Sequence, residues 1–290
     1  MTRYYLVLAL GVVSVSFAAI FIRLAEAPPL VIAAYRLCLA SLVVAPVAGV
    51  RSRQELRRLV RRDVILALLS GAFLALHFAL WIASLSYTTV ATSVVLVTAS
   101  PIFVAIASYF LFRERLSKQT ILGIAVCLIG AVLIGYGNRQ LGPDPLRGVG
   151  LALLGALAVA GYLLIGRRLR QSIGLLTYAS LTYSSAAVLL LLAALIAGHS
   201  LVGYSGTTYV MLLLLALVPQ LLGHSSINWS LRFVSATLVT IAVLGEPVGA
   251  TALAYLILDE VPTWTEIGGG ILILAGIFVA FRKSRTPLGR

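Results

Sequence analysis

The chain has 290 residues, of which 61% are hydrophobic and only 11% are charged, and its formal net charge is +13. Soluble globular proteins are roughly half apolar and about a quarter charged, so this composition excludes an ordinary soluble domain. The positive charge does not indicate a nucleic-acid partner, because Lys and Arg lie in short connectors between long apolar runs. These runs are about twenty residues long, enough to cross ~30 Å of hydrocarbon, and they predict an all-α integral membrane protein in the lipid bilayer.

Ten transmembrane helices are predicted along the chain. They cover residues 4–24, 30–50, 63–84, 88–112, 119–137, 148–166, 174–197, 207–227, 236–258 and 264–281. The first apolar run is longer than the core of a signal peptide and is interpreted as a retained span. Cys38 and Cys127 both lie inside predicted helices, so they are interpreted as packing residues and not as a disulfide.

The distribution of basic residues predicts how these helices cross the membrane. With the N-terminus in the cytoplasm, every Lys and Arg lies on the cytoplasmic side except Arg23, Arg36, Arg139 and Arg147. Cytoplasmic loops of membrane proteins carry such an excess of positive charge. Ten helices return the chain to the side on which it started, so both termini are predicted to be cytoplasmic.

The two halves of the chain repeat one sequence pattern, since residues 101–131 align without gaps with residues 247–277. The paired residues include Pro101 and Pro247, Tyr109 and Tyr255, Glu114 and Glu260, Gly123 and Gly269, and Gly130 and Gly276. Each half holds five predicted helices, an odd number, so the second half is predicted to enter the membrane with inverted topology. Inverted repeats are typical of transporters that open a central site alternately to each side of the membrane.

This duplication predicts the domain organisation. The first repeat covers residues 1–137 and contains helices one to five. A periplasmic linker with Gly and Pro turn signals covers residues 138–147. The second repeat covers residues 148–290 and ends in a basic cytoplasmic tail.

The segments 77–117 and 234–260 resemble the two signature regions of EamA-type carriers, which belong to the drug/metabolite transporter superfamily. In both segments a Pro comes early in the helix and an acidic residue closes it, and the second segment has Glu-Pro. Within this family the chain is most similar to YddG-like bacterial amino-acid exporters. The resemblance extends over essentially the whole chain.

The resemblance implies a secondary transporter in the bacterial inner membrane that exports amino acids, including aromatic ones, by alternating access. It implies a central cavity lined by helices one, three, four and eight, together with helices six and nine. Helices five and ten are implied to pack at the periphery, where family members form dimer contacts, so a homodimer is an expected assembly.

The acid Glu246 lies near the middle of the predicted ninth helix and is followed at once by Pro247. Because a charge at that depth costs at least ~2.5 kcal/mol, this acid is expected to face a cavity or a partner. It is interpreted either as a cavity acid that contacts a substrate amine or a proton, or as a structural acid that bonds backbone amides freed near Pro247. Pro101 has the matching position in helix four, where the hydroxyls of Ser100 and Thr98 can satisfy freed backbone groups. Both prolines are predicted hinges, and Ser100 is a predicted substrate-binding residue.

Three further candidates lie in the second and third helices. His77 and Trp81 are four residues apart on one helix face and are interpreted as a polar and aromatic wall for a substrate. The alternatives are a backbone hydrogen bond for His77 and anchoring at the outer interface for Trp81. Arg36 lies about 9 Å inside its helix, so its guanidinium either snorkels to the outer surface or pairs with a carboxylate, including that of a substrate.

The eighth helix carries a polar stripe of Gln220, His224 and Asn228 at one-turn spacing. Such a stripe is expected to face protein or water, and it predicts either interhelical hydrogen bonds or a cavity wall. His224 is the substrate-binding candidate from this stripe. Tyr162 is a further candidate, with packing or interface anchoring as its alternative.

No catalytic residue, metal site or cofactor is predicted. The sequence has no Walker-type phosphate loop and no His-Glu-x-x-His motif, and its histidines have no metal-ligand spacing. The alternatives left open are a transporter of other small metabolites or drugs, an intramembrane enzyme, or a channel. Nucleotide-sugars would require several cavity cations, and an enzyme would require a convergent nucleophile and base, so both are disfavoured.

Overall fold

The protein is described here by a computed structural model, which covers residues 2–88, 90–113, 116–137, 143–258 and 261–282. All regular secondary structure in these residues is helical, as predicted. The α-helices are α1 Thr2–Ser16, α2 Ala18–Leu24, α3 Pro29–Arg51, α4 Arg53–Arg58, α5 Arg61–Ser84, α6 Val90–Val97, α7 Ser100–Phe112, α8 Lys118–Gly137, α9 Pro145–Leu169, α10 Leu175–Ile196, α11 Gly206–Leu215, α12 Ser225–Ser230, α13 Ala236–Val243, α14 Glu246–Leu258 and α15 Trp264–Phe281. A π-helical segment, Ala216–His224, joins α11 to α12.

Nine helical stretches within the described ranges are long and apolar enough to cross a membrane. The predicted fifth span corresponds to α8, whose apolar part Lys118–Ile134 is shorter than these nine. The total of ten spans, the cytoplasmic location of both termini and the domain boundaries therefore stay predictions. The paired acids Glu114 and Glu260, the first half of the predicted linker (138–142), and the tail 283–290 lie outside the described residues.

The outside of the helix bundle is covered by large apolar side chains. Among the most exposed are Leu42, Phe110 and Leu256, each with at least 70% of its surface accessible. Soluble monomers rarely expose apolar surface on this scale, but lipid tails solvate it well. This surface agrees with a protein that sits in a bilayer.

The helices predicted as the fourth and ninth spans are both broken, at positions that the alignment of the two repeats pairs. Thr98 and Ala99 separate α6 from α7, and Leu244 and Gly245 separate α13 from α14. Pro101 and Pro247 are the second residues of α7 and α14, where the missing N–H removes no intrahelical hydrogen bond. The predicted breaks are confirmed. The Ala99 N–H turns to the carbonyl of Leu96, and the Thr98 hydroxyl donates to the freed carbonyl of Val95 at 3.1 Å.

Three local features were not predicted. The first span is interrupted at Phe17, between α1 and α2. The eighth span contains the π-helical segment, which includes Pro219. The span then continues through α12 as far as Ser230. In the connector between the second and third spans, α4 presents Glu55, which accepts hydrogen bonds from the Gly174 N–H at 2.7 Å and from the Thr177 hydroxyl.

The two repeats pack through matching pairs of helices. In the centre, α5 of the first half packs against α9 of the second, and the pair that the repeat makes equivalent is α1 with the π-helical segment and α12. Helix α10 packs against α3, and the broken helices meet where α7 contacts α13 and α6 contacts α14. These pairs leave the four ends at the helix breaks facing the middle of the bundle.

At the periphery, α8 and α15 cross at glycines that the repeat alignment pairs. A Cβ at Gly130 would lie 2.5 Å from the carbonyl oxygen of Gly269, and a Cβ at Gly269 would lie 2.5 Å from that of Gly130. Gly123 and Gly276 have the same mutual relation at 2.7 Å. In each contact, a glycine of α8 meets the glycine of α15 that the alignment pairs with the other glycine of α8. The two helices are therefore related by a two-fold axis and run antiparallel. This is the arrangement expected of inverted repeats.

We expect Gly269→Ala to lower the free energy of unfolding by roughly 1–3 kcal/mol, because the added methyl group would overlap the backbone of α8. Gly268→Ala is the matched control on the same helix, since a Cβ at Gly268 has no neighbour within 4 Å. The control should be neutral or slightly stabilising through helix propensity. Thermal unfolding of the purified variants in detergent measures both, and equal melting temperatures would contradict the close helix crossing.

Candidate functional site

A narrow cavity lies between the repeats beside the two helix breaks. It is walled by α1, α2, α3, α5, α6 and α7 of the first half and by α9, α12, α13, α14 and the π-helical segment of the second half. All predicted substrate-binding residues except Tyr162 line it: Arg36, His77, Trp81, Ser100, His224 and Glu246. The remaining wall is mostly aliphatic. The helices involved are those implied by the family resemblance, with α3 added through Arg36.

The cavity has a volume of about 40 Å³, which holds about three water molecules. This is too small for an amino acid with a large side chain. The described conformation therefore has to widen before a solute of that size can occupy the space between the repeats.

Arg36 is held deep inside the protein, with 1% of its surface accessible. Its Nε atom donates to Gln220 Oε1 at 2.9 Å, and its Cζ atom lies 4.1 Å from the centre of the Phe78 ring. The Nη1 atom is buried without a hydrogen-bond partner. The interpretation that Arg36 snorkels to the outer surface is therefore wrong, because the side chain turns toward Gln220 and Phe78 and lines the cavity.

Glu246 is the first residue of α14 and follows the break at Leu244 and Gly245. It is buried, with 8% of its surface accessible, and it lines the cavity. In the first repeat the matching residue is Ser100, which begins α7 and lines the same cavity. Two helix N-termini thus meet the cavity wall, and the positive ends of their helix dipoles favour negative charge nearby.

The aromatic wall predicted from His77 and Trp81 is present. Their rings are stacked, with centroids 5.9 Å apart and planes 13° apart. Trp81 is 3% accessible, so anchoring at the outer interface is wrong for this residue, and its Nε1 atom has no hydrogen-bond partner. His77 lines the cavity, and its Nδ1 lies 3.0 Å from the carbonyl oxygen of Gly155, so the backbone hydrogen bond is present and the contact with a substrate stays a prediction.

The three residues of the polar stripe in the eighth span make different contacts. Gln220 binds Arg36, whereas His224 lines the cavity with its Nδ1 atom unpartnered. Asn228 accepts a hydrogen bond from the Tyr162 hydroxyl at 2.7 Å and donates to the Tyr183 hydroxyl at 3.2 Å. Tyr162 is therefore fully buried behind the cavity and supports α12, and it does not form part of the wall.

Two neighbours of the site were missed by sequence reasoning as contributors to it. The Phe78 ring contacts Arg36, but its sequence context is that of any apolar helix residue, so no signal marked it. Gln220 was noticed only as a member of a polar stripe. Its spacing of one turn from His224 placed Gln220 on the same face of the predicted helix. The spacing did not identify Arg36 as the hydrogen-bond partner of Gln220.

Comparisons with known proteins place the chain in a family. The model of the EamA-like transporter family matches residues 2–136 and 146–282, one match for each repeat. A solved crystal structure has the same fold, with a TM-score of 0.79, 20% sequence identity and 98% of each chain covered.

Curated relatives are distant in sequence. The "Uncharacterized transporter YdfC" of Bacillus subtilis is 24% identical over 188 residues, which cover 65% of this chain and 61% of that protein. A "Probable amino-acid metabolite efflux pump" of Salmonella typhimurium is 28% identical over 200 residues, covering 65% of this chain and 67% of that protein. An "Uncharacterized transporter" of Archaeoglobus fulgidus is 24% identical over 286 residues, covering 97% and 98%.

These findings confirm the family prediction, whereas the closer likeness to YddG-like amino-acid exporters stays a prediction. The apolar helices and the family match together make the chain a multi-pass membrane protein. Because both halves of the sequence match its model, the chain belongs to the EamA-like transporter family.

Proposed function

We propose that the protein is a secondary transporter that exports amino acids, including aromatic ones, from the bacterial cytoplasm across the inner membrane. The observation that carries this proposal is the burial of Arg36 and Glu246, one basic and one acidic residue, in the wall of one cavity between the repeats. Ionisable residues inside a membrane are costly and typically mark substrate or ion pathways. A zwitterion presents a carboxylate and an ammonium group, so it can pair with both residues at once.

The rest of the wall suits the side chain of an amino acid. The stacked rings of His77 and Trp81 offer an aromatic surface, and Val15, Val97 and Leu163 add aliphatic surface. Binding sites for small molecules are usually apolar, with a few placed polar groups that fix the orientation of the ligand. The name of the Salmonella relative, a probable amino-acid metabolite efflux pump, supports the same substrate class.

Transport then follows from the inverted repeats by alternating access. The narrow cavity widens as the halves separate on the cytoplasmic side, and an amino acid enters between Arg36 and Glu246. Rocking of the repeats, with bending at the breaks before Pro101 and Pro247, closes that side and opens the outer side. Because the repeats are related by a two-fold axis, an exchange of their conformations reverses the direction of access.

The proposal is tested by efflux from proteoliposomes loaded with radiolabelled phenylalanine, leucine or alanine. We expect the protein to release at least one of these amino acids faster than protein-free liposomes do. Runs with and without an imposed pH gradient distinguish downhill export from export coupled to protons. The proposal is wrong if every amino acid leaves no faster than from protein-free liposomes. If drugs or other metabolites are released instead, they become the substrate class.

A further inference from the structure

We infer that Arg36 binds the carboxylate of the transported solute through its Nη1 atom, and that Gln220 is the residue that positions the Arg36 guanidinium. The inference rests on the proposed export of amino acids. It goes further by assigning the polar groups of the cavity to the two ends of the zwitterion, and by predicting which solutes are rejected.

The first step is the unused hydrogen-bonding capacity of the cavity wall. Arg36 Nη1 is buried and has no hydrogen-bond partner, although the same guanidinium donates through Nε to Gln220. Leaving a buried donor unpaired is costly, and more so when it carries charge. Trp81 Nε1 is a second buried donor in this wall without a partner. A carboxylate has two acceptor oxygens, so it can accept from the free end of the guanidinium and still has capacity for a second donor of the wall.

The second step is the fixed orientation of the guanidinium. Gln220 accepts from one edge of the group, and the Phe78 ring covers one face at 4.1 Å. Gln220 is itself fully buried and lies in the π-helical segment, whose wider turn places it opposite α3. Such segments occur frequently at functional sites. Because the group is held on one edge and one face, it loses little freedom when a carboxylate binds to the Nη1 end.

The third step is the balance of charge. The cavity wall holds one arginine and one glutamate, while the other titratable groups that face it are His77 and His224. A zwitterion adds no net charge and supplies a partner for each of the two residues. A solute that carries only one of these charges leaves a buried charge of the protein without compensation, which is strongly unfavourable. The cavity is therefore expected to select against amino-acid amides, which lack the carboxylate, and against N-acetyl amino acids, which lack the ammonium group.

The experiment compares phenylalanine and leucine with their primary amides as competitors of labelled efflux in proteoliposomes. In the wild-type protein we expect each amide to compete at least tenfold more weakly than its amino acid. Arg36→Gln should raise the KM for the amino acid roughly 10- to 100-fold, the loss expected for a hydrogen bond to a charged group. It should also abolish the discrimination between amino acid and amide. Arg147→Gln is the matched control, because Arg147 is exposed in the first turn of α9 and does not line the cavity.

The positioning role of Gln220 has its own readout. Gln220→Met keeps the approximate shape but removes the oxygen that accepts from Arg36 Nε, and we expect a KM raised roughly tenfold with little change in the maximal rate. Gln220→Asn retains an uncharged carbonyl acceptor on a shorter side chain, so it should restore part of the affinity. A merely structural glutamine would instead change the amount of folded protein and the maximal rate, without a separate effect on KM.

The outcomes separate this inference from the proposed function. If no amino acid is exported, the proposed function is wrong and the inference falls with it. If amino acids are exported but their amides compete equally well, or if Arg36→Gln retains the discrimination, the assignment of the carboxylate to Arg36 is wrong and export stands. Should Arg36→Gln fail to fold, the wild-type competition and the pair of Gln220 variants decide the question.

Discussion

We expect Glu246→Gln to reduce amino-acid efflux roughly 100-fold, the upper range for a lost hydrogen bond to a charged group. Glutamine has nearly the same shape as glutamate, so packing at the start of α14 should survive. The variant removes the negative partner for the ammonium group of the substrate and leaves Arg36 without a compensating charge in the cavity. Initial efflux rates from proteoliposomes, normalised to the amount of folded protein, measure the effect.

Glu26→Gln provides the matched control, because Glu26 is exposed in the connector between α2 and α3. Its efflux should equal that of the wild type. If Glu246→Gln also exports at the wild-type rate, with an unchanged response to an imposed pH gradient, then Glu246 is a structural acid at the helix break. The binding site would then have to be sought elsewhere between the repeats.

We expect Pro247→Ala to lower the maximal efflux rate roughly tenfold or more while the KM changes little. Proline inside a helix costs about 3 kcal/mol or more, because it lacks the N–H and clashes with the carbonyl four residues earlier. Alanine removes that obstacle, so α13 and α14 can join through Leu244 and Gly245 into one stiffer helix. Efflux measured over a range of substrate concentrations separates the maximal rate from the KM.

The first repeat allows this second prediction to be tested at an equivalent proline. Pro101 has the same place in the first repeat, so Pro101→Ala should slow export in the same way. Pro46→Ala is the control, since Pro46 lies inside α3 and does not line the cavity. A normal rate in both Pro101→Ala and Pro247→Ala would show that the breaks are static features of the cavity and not hinges.

The helix breaks were predictable because their cause is local in sequence. Pro101 and Pro247 each remove a backbone donor and disfavour an uninterrupted helix, and Gly245 makes a bend easy. The repeat of that pattern in both halves then predicted the inversion, because an odd number of helices is predicted for each half. Composition thus predicted the class of fold, and polar or aromatic residues inside the predicted helices marked six of the residues that line the cavity.

The surroundings of Arg36 were not predictable in the same way. Whether an arginine inside a helix snorkels or turns inward depends on its neighbours, and its partner Gln220 is 184 positions away in the sequence. The widened turn that brings Gln220 to this place has no sequence signal beyond Pro219, which elsewhere simply kinks a helix. The place of Tyr162 depends on a distant residue in the same way, since its hydroxyl binds Asn228 and the side chain does not line the cavity.

The crossing of α8 and α15 bears on how such a chain can originate. Each helix offers its partner the same surface, and Cys127 lies against Ile273 midway between the two glycine pairs, donating its S–H to that carbonyl at 3.4 Å. A self-complementary contact of this kind is what two identical subunits form across a symmetry axis. A single ancestral five-helix unit, inserted in both orientations, could therefore have assembled through this surface before gene fusion joined the copies.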